Sequence, residues 1–262
     1  MKRIIVLLSL AAALASVRGE IVTKTVEYKQ GDVTLEGFVA YDNSVTSAKP
    51  GVLIVHQWKG LGAYEKMRAE MLAKMGYVAF ACDIYGKGVR PTAMQDAAAQ
   101  AGKFKNDRKL LRERVNAGLA ELRKQSGVDG RKVAAIGYCF GGTSVLELAR
   151  SGADVNGVVS FHGGLSSPMP EDAKNIKGKV LALHGADDPN VPPTEVAGFE
   201  KEMRDAKVDW QLVAYGNAVH SFTDKGAGND NSKGAAYNEK ADRRSWEAMK
   251  DLFGELFGTG AR

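Results

Sequence analysis

The sequence predicts an α/β chain: a mostly parallel central sheet with helices on both faces, preceded by an antiparallel hairpin. Three observations predict it. From residue 51 onward, short apolar runs alternate with segments of helical periodicity, the pattern of strand-helix units. Before that point, Ile21 to Tyr28 and Val33 to Tyr41 each alternate apolar and polar residues about a Gly31-Asp32 turn, as a hairpin does. Finally, Gly137-Tyr138-Cys139-Phe140-Gly141-Gly142 joins a strand-like run to a helix-like run, with a reactive side chain at the joint.

The elements follow in chain order. Asp42 to Pro50 is a polar loop, and Gly51 to Val55 is the first parallel strand. Tyr64 to Met75 is a helix whose Met67, Met71 and Met75 share a face expected to enter the core. Tyr77 to Asp83 is a buried strand. Pro91 to Ser126 is mostly helical, with Leu111, Val115, Leu119 and Leu122 in one apolar stripe. Lys132 to Ile136 is the strand before the joint, and Thr143 to Ala149 the helix after it. Val155 to Phe161 and Lys179 to His184 are strands, and Thr194 to Ala206 is a helix facing inward through Val196, Phe199 and Met203. Asp209 to Tyr215 is the last strand. The loop Asp224 to Gly234 then leads to a closing helix with Trp246, Met249, Phe253 and Phe257 on one side. No internal repeat or linker interrupts this order, so residues 20–262 are expected to form one domain.

The first residues stand apart. Met1-Lys2-Arg3 is basic, Ile4 to Ala15 is an apolar stretch of 12 residues, and small residues follow at Ala13-x-Ala15 and Val17-x-Gly19. This is the pattern of a secretory signal peptide over residues 1–19, with Ala15 as the other cleavage point, and it is too short to span a membrane. The expected location is periplasmic or secreted. Losing Lys2, Arg3 and Arg18 takes the net charge from +5 to +2. No Lys/Arg run carries interleaved aromatics, which argues against nucleic acid or an anionic membrane as a partner. Nothing sets the oligomeric state, and a monomer is the expectation. Of the two cysteines, Cys82 lies in an apolar run and reads as a core thiol. No Cys/His spacing resembles a metal site.

Cys139 sits between glycines on a sharp strand-to-helix turn. This is the pattern of a nucleophile elbow, where the reactive residue takes strained backbone angles and its neighbours must lack a Cβ. A Cys nucleophile needs a base and a group to orient that base. Such groups belong in loops at the carboxyl ends of strands. Asp187 and Asp188 lie in one such loop and His220 in the next. The order Cys139, acid, His220 matches α/β-hydrolases. Spacing does not choose between Asp187 and Asp188. An oxyanion hole would use the backbone N–H of Phe140 and one near Gln57 or Trp58, with Trp58 taken as the donor. His56 and His162 end strands and are candidates for lining the pocket. His184 reads as structural.

Three segments carry a family resemblance: Gly137 to Gly142, Gly185-Ala186-Asp187-Asp188-Pro189-Asn190-Val191-Pro192 and His220-Ser221-Phe222. Ala235-Ala236-Tyr237-Asn238 leading into Asp242-Arg243-Arg244-Ser245-Trp246 adds a fourth. Together they resemble dienelactone hydrolases over essentially all of the chain after the leader. The resemblance implies an α/β-hydrolase fold, a Cys139-Asp188-His220 triad, hydrolysis of an activated ester or enol lactone, and no cofactor. It also implies a Glu at the place of Gln57, an Arg at the place of Lys87, and a second Arg at the place of Asp224. The substrate-binding candidates are therefore Gln57, Lys87 and Arg90, with Lys225 a further cation that could compensate. These departures leave an alternative open, a non-catalytic protein of this fold that binds small carboxylates or a partner.

Overall fold

The computed structural model describes residues 19–44 and 47–258. Residues 1–18, on which the signal-peptide expectation falls, lie outside the described residues.

Eight strands form one sheet. They are β1 (Ile21–Gln30), β2 (Val33–Asp42), β3 (Lys49–Val55), β4 (Val78–Cys82), β5 (Val128–Tyr138), β6 (Gly157–Phe161), β7 (Lys179–Gly185) and β8 (Trp210–Tyr215), in the spatial order β1-β2-β4-β3-β5-β6-β7-β8. The β1-β2 hairpin pairs antiparallel with itself and with β4, and every other pairing is parallel. Six helices cover the sheet: α1 (Ala63–Lys74), α2 (Met94–Asn106), α3 (Arg108–Lys124), α4 (Phe140–Arg150), α5 (Pro193–Asp205) and α6 (Glu239–Phe257).

The two-residue period of a strand divides the core. On β3, Leu53 and Val55 face one layer, built with Leu111, Val115, Leu119 and Leu122 of α3, Val145 and Leu148 of α4, and Phe199 and Met203 of α5. Val52 and Ile54 face the other, built with Ala69, Leu72 and Ala73 of α1 and Met249 and Phe253 of α6. The predicted helical span Pro91 to Ser126 is two helices. Asp107 separates them by accepting the Leu110 N–H at 2.9 Å, which caps α3 and satisfies one of its free amides.

The inner face of α1 differs from expectation. Met67 is 44 % exposed. The buried face is Glu65, Arg68, Ala69, Leu72 and Ala73. Hydropathy points to the methionines, but both charged residues are buried with partners. Glu65 accepts the N–H groups of Gln57 and Gly62, and Arg68 pairs with Asp242 at 2.8 Å.

The order of strands places β5 at the centre of the sheet, between β3 and β6. The loops that follow β3, β5, β6, β7 and β8 therefore converge at one end. Cys139 begins there.

Candidate active site

Cys139 joins β5 to α4 with φ 55° and ψ −114°, a conformation that costs a non-glycine residue about 1–3 kcal/mol. The surrounding backbone enforces it. A Cβ on Gly137 would lie 2.0 Å from the Gly141 carbonyl oxygen, and one on Gly141 would lie 2.1 Å from that of Val55. The Cys139 N–H is held by the Phe161 carbonyl at 3.0 Å and by His162 Nδ1 at 3.1 Å.

The turn aims the thiol at His220. Cys139 Sγ and His220 Nε2 are 3.0 Å apart, and His220 Nδ1 lies 2.8 Å from Asp188 Oδ2. Asp188 is buried, and its other oxygen accepts the Asn190 N–H at 2.8 Å. Asp187 is exposed, so geometry selects Asp188 where spacing did not. Because Nδ1 donates to the carboxylate, Nε2 is left to exchange a proton with sulfur. Burial alone would disfavour the charged imidazole. The Cys139 charge and the bonds to Asp188 and Cys139 overcome it and push His220 up to about 10. Burial would likewise raise the thiol. The charge and hydrogen bond of His220, the charge of Lys105 and the Phe140 N–H bring it below its ordinary value. Both shifts favour the charged forms, a thiolate beside an imidazolium.

The two expected oxyanion donors, the N–H groups of Phe140 and Trp58, lie in the loops that follow β5 and β3. Phe140 opens α4, so its N–H is one of the free amides of a helix start. Trp58 lies in the β3-α1 loop, and its peptide is fixed on both sides. His56 Nδ1 bonds the Gln57 carbonyl at 2.6 Å, and the Tyr85 hydroxyl donates to the Trp58 carbonyl at 2.9 Å. In a trans peptide the carbonyl and the following N–H point opposite ways. Fixing the Gln57 carbonyl on His56 therefore turns the Trp58 N–H away from His56. Neither the Phe140 nor the Trp58 N–H is spent on a carbonyl among the described residues.

The other histidines are buried supports. His56 accepts the Ile84 N–H through Nε2 at 3.1 Å, and burial lowers it to about 4, so it stays neutral. His162 accepts from Cys139 through Nδ1, which leaves Nε2–H to donate to Thr223 Oγ1 at 2.8 Å. Its ring meets the His220 ring edge-on, with centroids 5.3 Å apart. Thr223 bonds Tyr64 at 2.7 Å, and Arg68 bonds both Tyr64 and the Thr223 carbonyl. This line ties the nucleophile's own backbone to the loop that carries His220. His184 lies at the end of β7, buried and outside the triad.

The predicted substrate-binding residues divide. Gln57 lies in the β3-α1 loop next to Trp58, with its side-chain amide donating to Asp224 Oδ2 at 3.0 Å. Lys87 is not. It pairs with Glu27 of the hairpin, and its backbone bonds Thr34, on the β2 side of the sheet. Arg90 is spent on structure. It donates to the carbonyls of Leu61, Gly86 and Val89 and reaches Asp83 Oδ1 at 3.5 Å, so it fastens loops together. Lys225 sits over the Tyr237 ring at 5.8 Å. Sequence reasoning missed Lys105, an exposed residue of α2 whose charge reaches the thiol, and nothing in its local sequence marks it. It also missed Thr223, Tyr64 and Arg68. Among the described residues, no cluster of three or more His, Cys, Asp or Glu could hold a metal ion.

Comparison with known proteins bears on this arrangement. Residues 35–257 match the dienelactone hydrolase family. A dienelactone hydrolase-like promiscuous phosphotriesterase from metagenomic libraries superimposes with a TM-score of 0.87 at 42% identity, covering 91% of this chain and 99% of its own. A putative carboxymethylenebutenolidase of Synechocystis is 24% identical over 249 residues, 89% of this chain and 97% of the relative. A probable 2-oxo-3-(5-oxofuran-2-ylidene)propanoate lactonase of Bradyrhizobium is 29% identical over 188 residues, 68% of this chain and 75% of the relative.

Proposed function

The chain belongs to the dienelactone hydrolase family and is a carboxylic ester hydrolase, and from that premise we propose that it cleaves activated esters or lactones through Cys139, His220 and Asp188. The observation that carries this reading is the unbroken line from Sγ to Nε2 (3.0 Å) and from Nδ1 to Oδ2 (2.8 Å).

The Cys139 thiolate attacks the acyl carbon, and the carbonyl oxygen becomes an oxyanion held by the N–H groups of Phe140 and Trp58. Collapse breaks the bond to the leaving oxygen, which takes the proton of the His220 imidazolium. A thioester remains on Cys139. Water then gives a proton to Nε2 and attacks the thioester. The second oxyanion expels the thiolate, and the acid leaves. Asp188 holds the ring in the required tautomer and stabilises its charged form. A thiolate is a better leaving group than an alkoxide. The first adduct therefore goes forward readily when the departing oxygen is an enol, aryl or lactone oxygen. The phosphotriesterase activity named for the structural neighbour extends to this chain as a side reaction, with the same thiolate attacking phosphorus. The leader in residues 1–19 supports a periplasmic or secreted location.

The test is hydrolysis of p-nitrophenyl acetate by the parent and by Cys139→Ala, with mass spectrometry of the quenched parent. The expected result is an acyl adduct on the parent and loss of turnover in the variant. Undiminished turnover by Cys139→Ala would overturn the reading.

A further inference from the structure

Gln57 and Asp224 are separated by 167 positions in sequence and are joined by a hydrogen bond between the loop after β3 and the loop that carries His220. Gln57 directly precedes Trp58. Asp224 directly follows Thr223, which His162 connects to the backbone of Cys139 at 2.8 and 3.1 Å. Asp224 Oδ2 accepts the Gln57 amide at 3.0 Å, and Oδ1 accepts the Gly226 N–H at 2.8 Å. Both partners are neutral hydrogen-bond donors. Glu65 lies behind the same strap, bonded to the Gln57 N–H at 3.0 Å and the Gly62 N–H at 2.8 Å. Its carboxyl is pushed up first by burial and further by the charge of Asp224, so the two acids sense each other.

Among the described residues, no Lys or Arg forms an ion pair with Asp224 or Glu65, and Lys225, next to Asp224 in the chain, lies over the Tyr237 ring at 5.8 Å. Arg68 is committed to Asp242, Lys87 to Glu27, and Arg90 to Asp83 and three carbonyls. Lys105 approaches from α2, exposed and solvated, where water screens its effect on a bound group.

We propose that Asp224, held in place by Gln57, is a specificity-determining residue that makes this site select acyl groups without a negative charge. An anionic acyl group bound beside Gln57 meets an unpaired carboxylate, whereas an uncharged chain of the same shape does not. This rests on the ester-hydrolase reading above and names the substrate class within it.

The test uses a matched pair. p-Nitrophenyl valerate and mono-p-nitrophenyl glutarate share the leaving group and chain length and differ in a terminal methyl or carboxylate. The quantity read is the ratio of their kcat/KM values, with the spontaneous rate subtracted. The parent is expected to prefer the valerate. Asp224→Asn, which keeps an oxygen for Gln57, is expected to narrow the ratio by about tenfold, the order of one unit-charge interaction of ~1.4 kcal/mol at an effective dielectric of ~20 to 40. Raising the salt concentration should narrow the parent's ratio in the same direction, which tests the proposal without any variant. Equal use of both esters by the parent would overturn the proposal alone. So would a ratio that Asp224→Asn leaves unmoved, or one that Lys105→Met moves further than Asp224→Asn does. Turnover of neither ester would overturn the hydrolase reading and this proposal with it.

Discussion

Replacing His220 with Ala should raise the Cys139 thiol and leave less of it ionised at neutral pH. Two opposed effects act on the sulfur. Burial raises its pKa, and the charge and hydrogen bond of His220 at 3.0 Å lead the effects that lower it below 9.0. Removing the imidazole leaves burial as the dominant influence, with only the more distant Lys105 charge and the Phe140 N–H against it. The thiol should then titrate higher than in the parent, with less of it ionised at pH 7. A thiolate of higher pKa is intrinsically more nucleophilic, with a Brønsted slope of about 0.4–0.5, and this recovers part of the loss. The net expectation is an iodoacetamide rate at pH 7 lower by about tenfold or more. In the parent, the rate should fall as acid protonates the lowered thiol, at a lower pH than in His220→Ala. On the alkaline side the imidazolium gives up its proton near pH 10, and the thiolate survives that step. Asp188→Asn should move the acid limb upward by less, because the imidazole remains but its charged form loses a bond of 2.8 Å. The assay is the rate of carbamidomethylation by mass spectrometry between pH 5 and 10, with circular dichroism to show that each variant is folded. If folded His220→Ala reacts at pH 7 within about twofold of the parent, the ion pair does not control the thiol.

Two further predictions concern the frame around the thiol. Gly141→Ala would place a Cβ 2.1 Å from the Val55 carbonyl oxygen and 2.8 Å from that of His56, backbone atoms that cannot swing aside. Its soluble yield should collapse, while Gly102→Ala, inside α2 with nothing within 4 Å, should raise the urea midpoint by up to about 1 kcal/mol of stability. Arg150 is fully buried, bonding Glu202 at 2.7 and 2.8 Å, Glu147 at 3.1 Å and the Leu165 carbonyl at 2.8 Å. Arg150→Met should cost about 3–5 kcal/mol in urea denaturation, and adding Glu202→Gln should recover part of it, since Glu147 keeps Arg112 but Glu202 loses its charged partner.

The sheet was legible because its strands are nearly continuous apolar runs between turn residues, and the stripe of α3 was legible because it has the period of a helix. The α1 face was not, because two buried, partnered charges, Glu65 and Arg68, took the place of the methionines. Glu65 is satisfied by its own N-terminal loop and Arg68 by Asp242, and no window of sequence contains both ends of the second pair. The meeting of Cys139, Asp188 and His220 was legible for a different reason. Each member follows a strand, so the order of strands alone brings Cys139, Asp188 and His220 to one end of the sheet. Lys87 also follows a strand, but β4 lies beyond β3 from the elbow, and the hairpin there offers it Glu27. Position after a strand brings a residue to the right end of the sheet. Which strand it follows decides how near the sulfur it lands.

The electrostatics of the site likewise had to wait for the fold. Taken one at a time, Gln57 and Asp224 look like two losses, an acid that became an amide and a cation that became an acid. The fold makes them neighbours at 3.0 Å, so neither can be interpreted without the other. A Glu at 57 and an Arg at 224 would meet here as an ion pair with little net charge. Gln57 and Asp224 keep a hydrogen bond across the same gap but leave one negative charge beside the reacting acyl group. The connection between the β3 and β8 loops is therefore preserved while its charge is changed. A thiolate already drawn into an ion pair with His220 needs no nearby carboxylate to deprotonate it. The charge at Asp224 is thus free to act on the substrate, and it acts most strongly on an acyl group that carries a charge of its own.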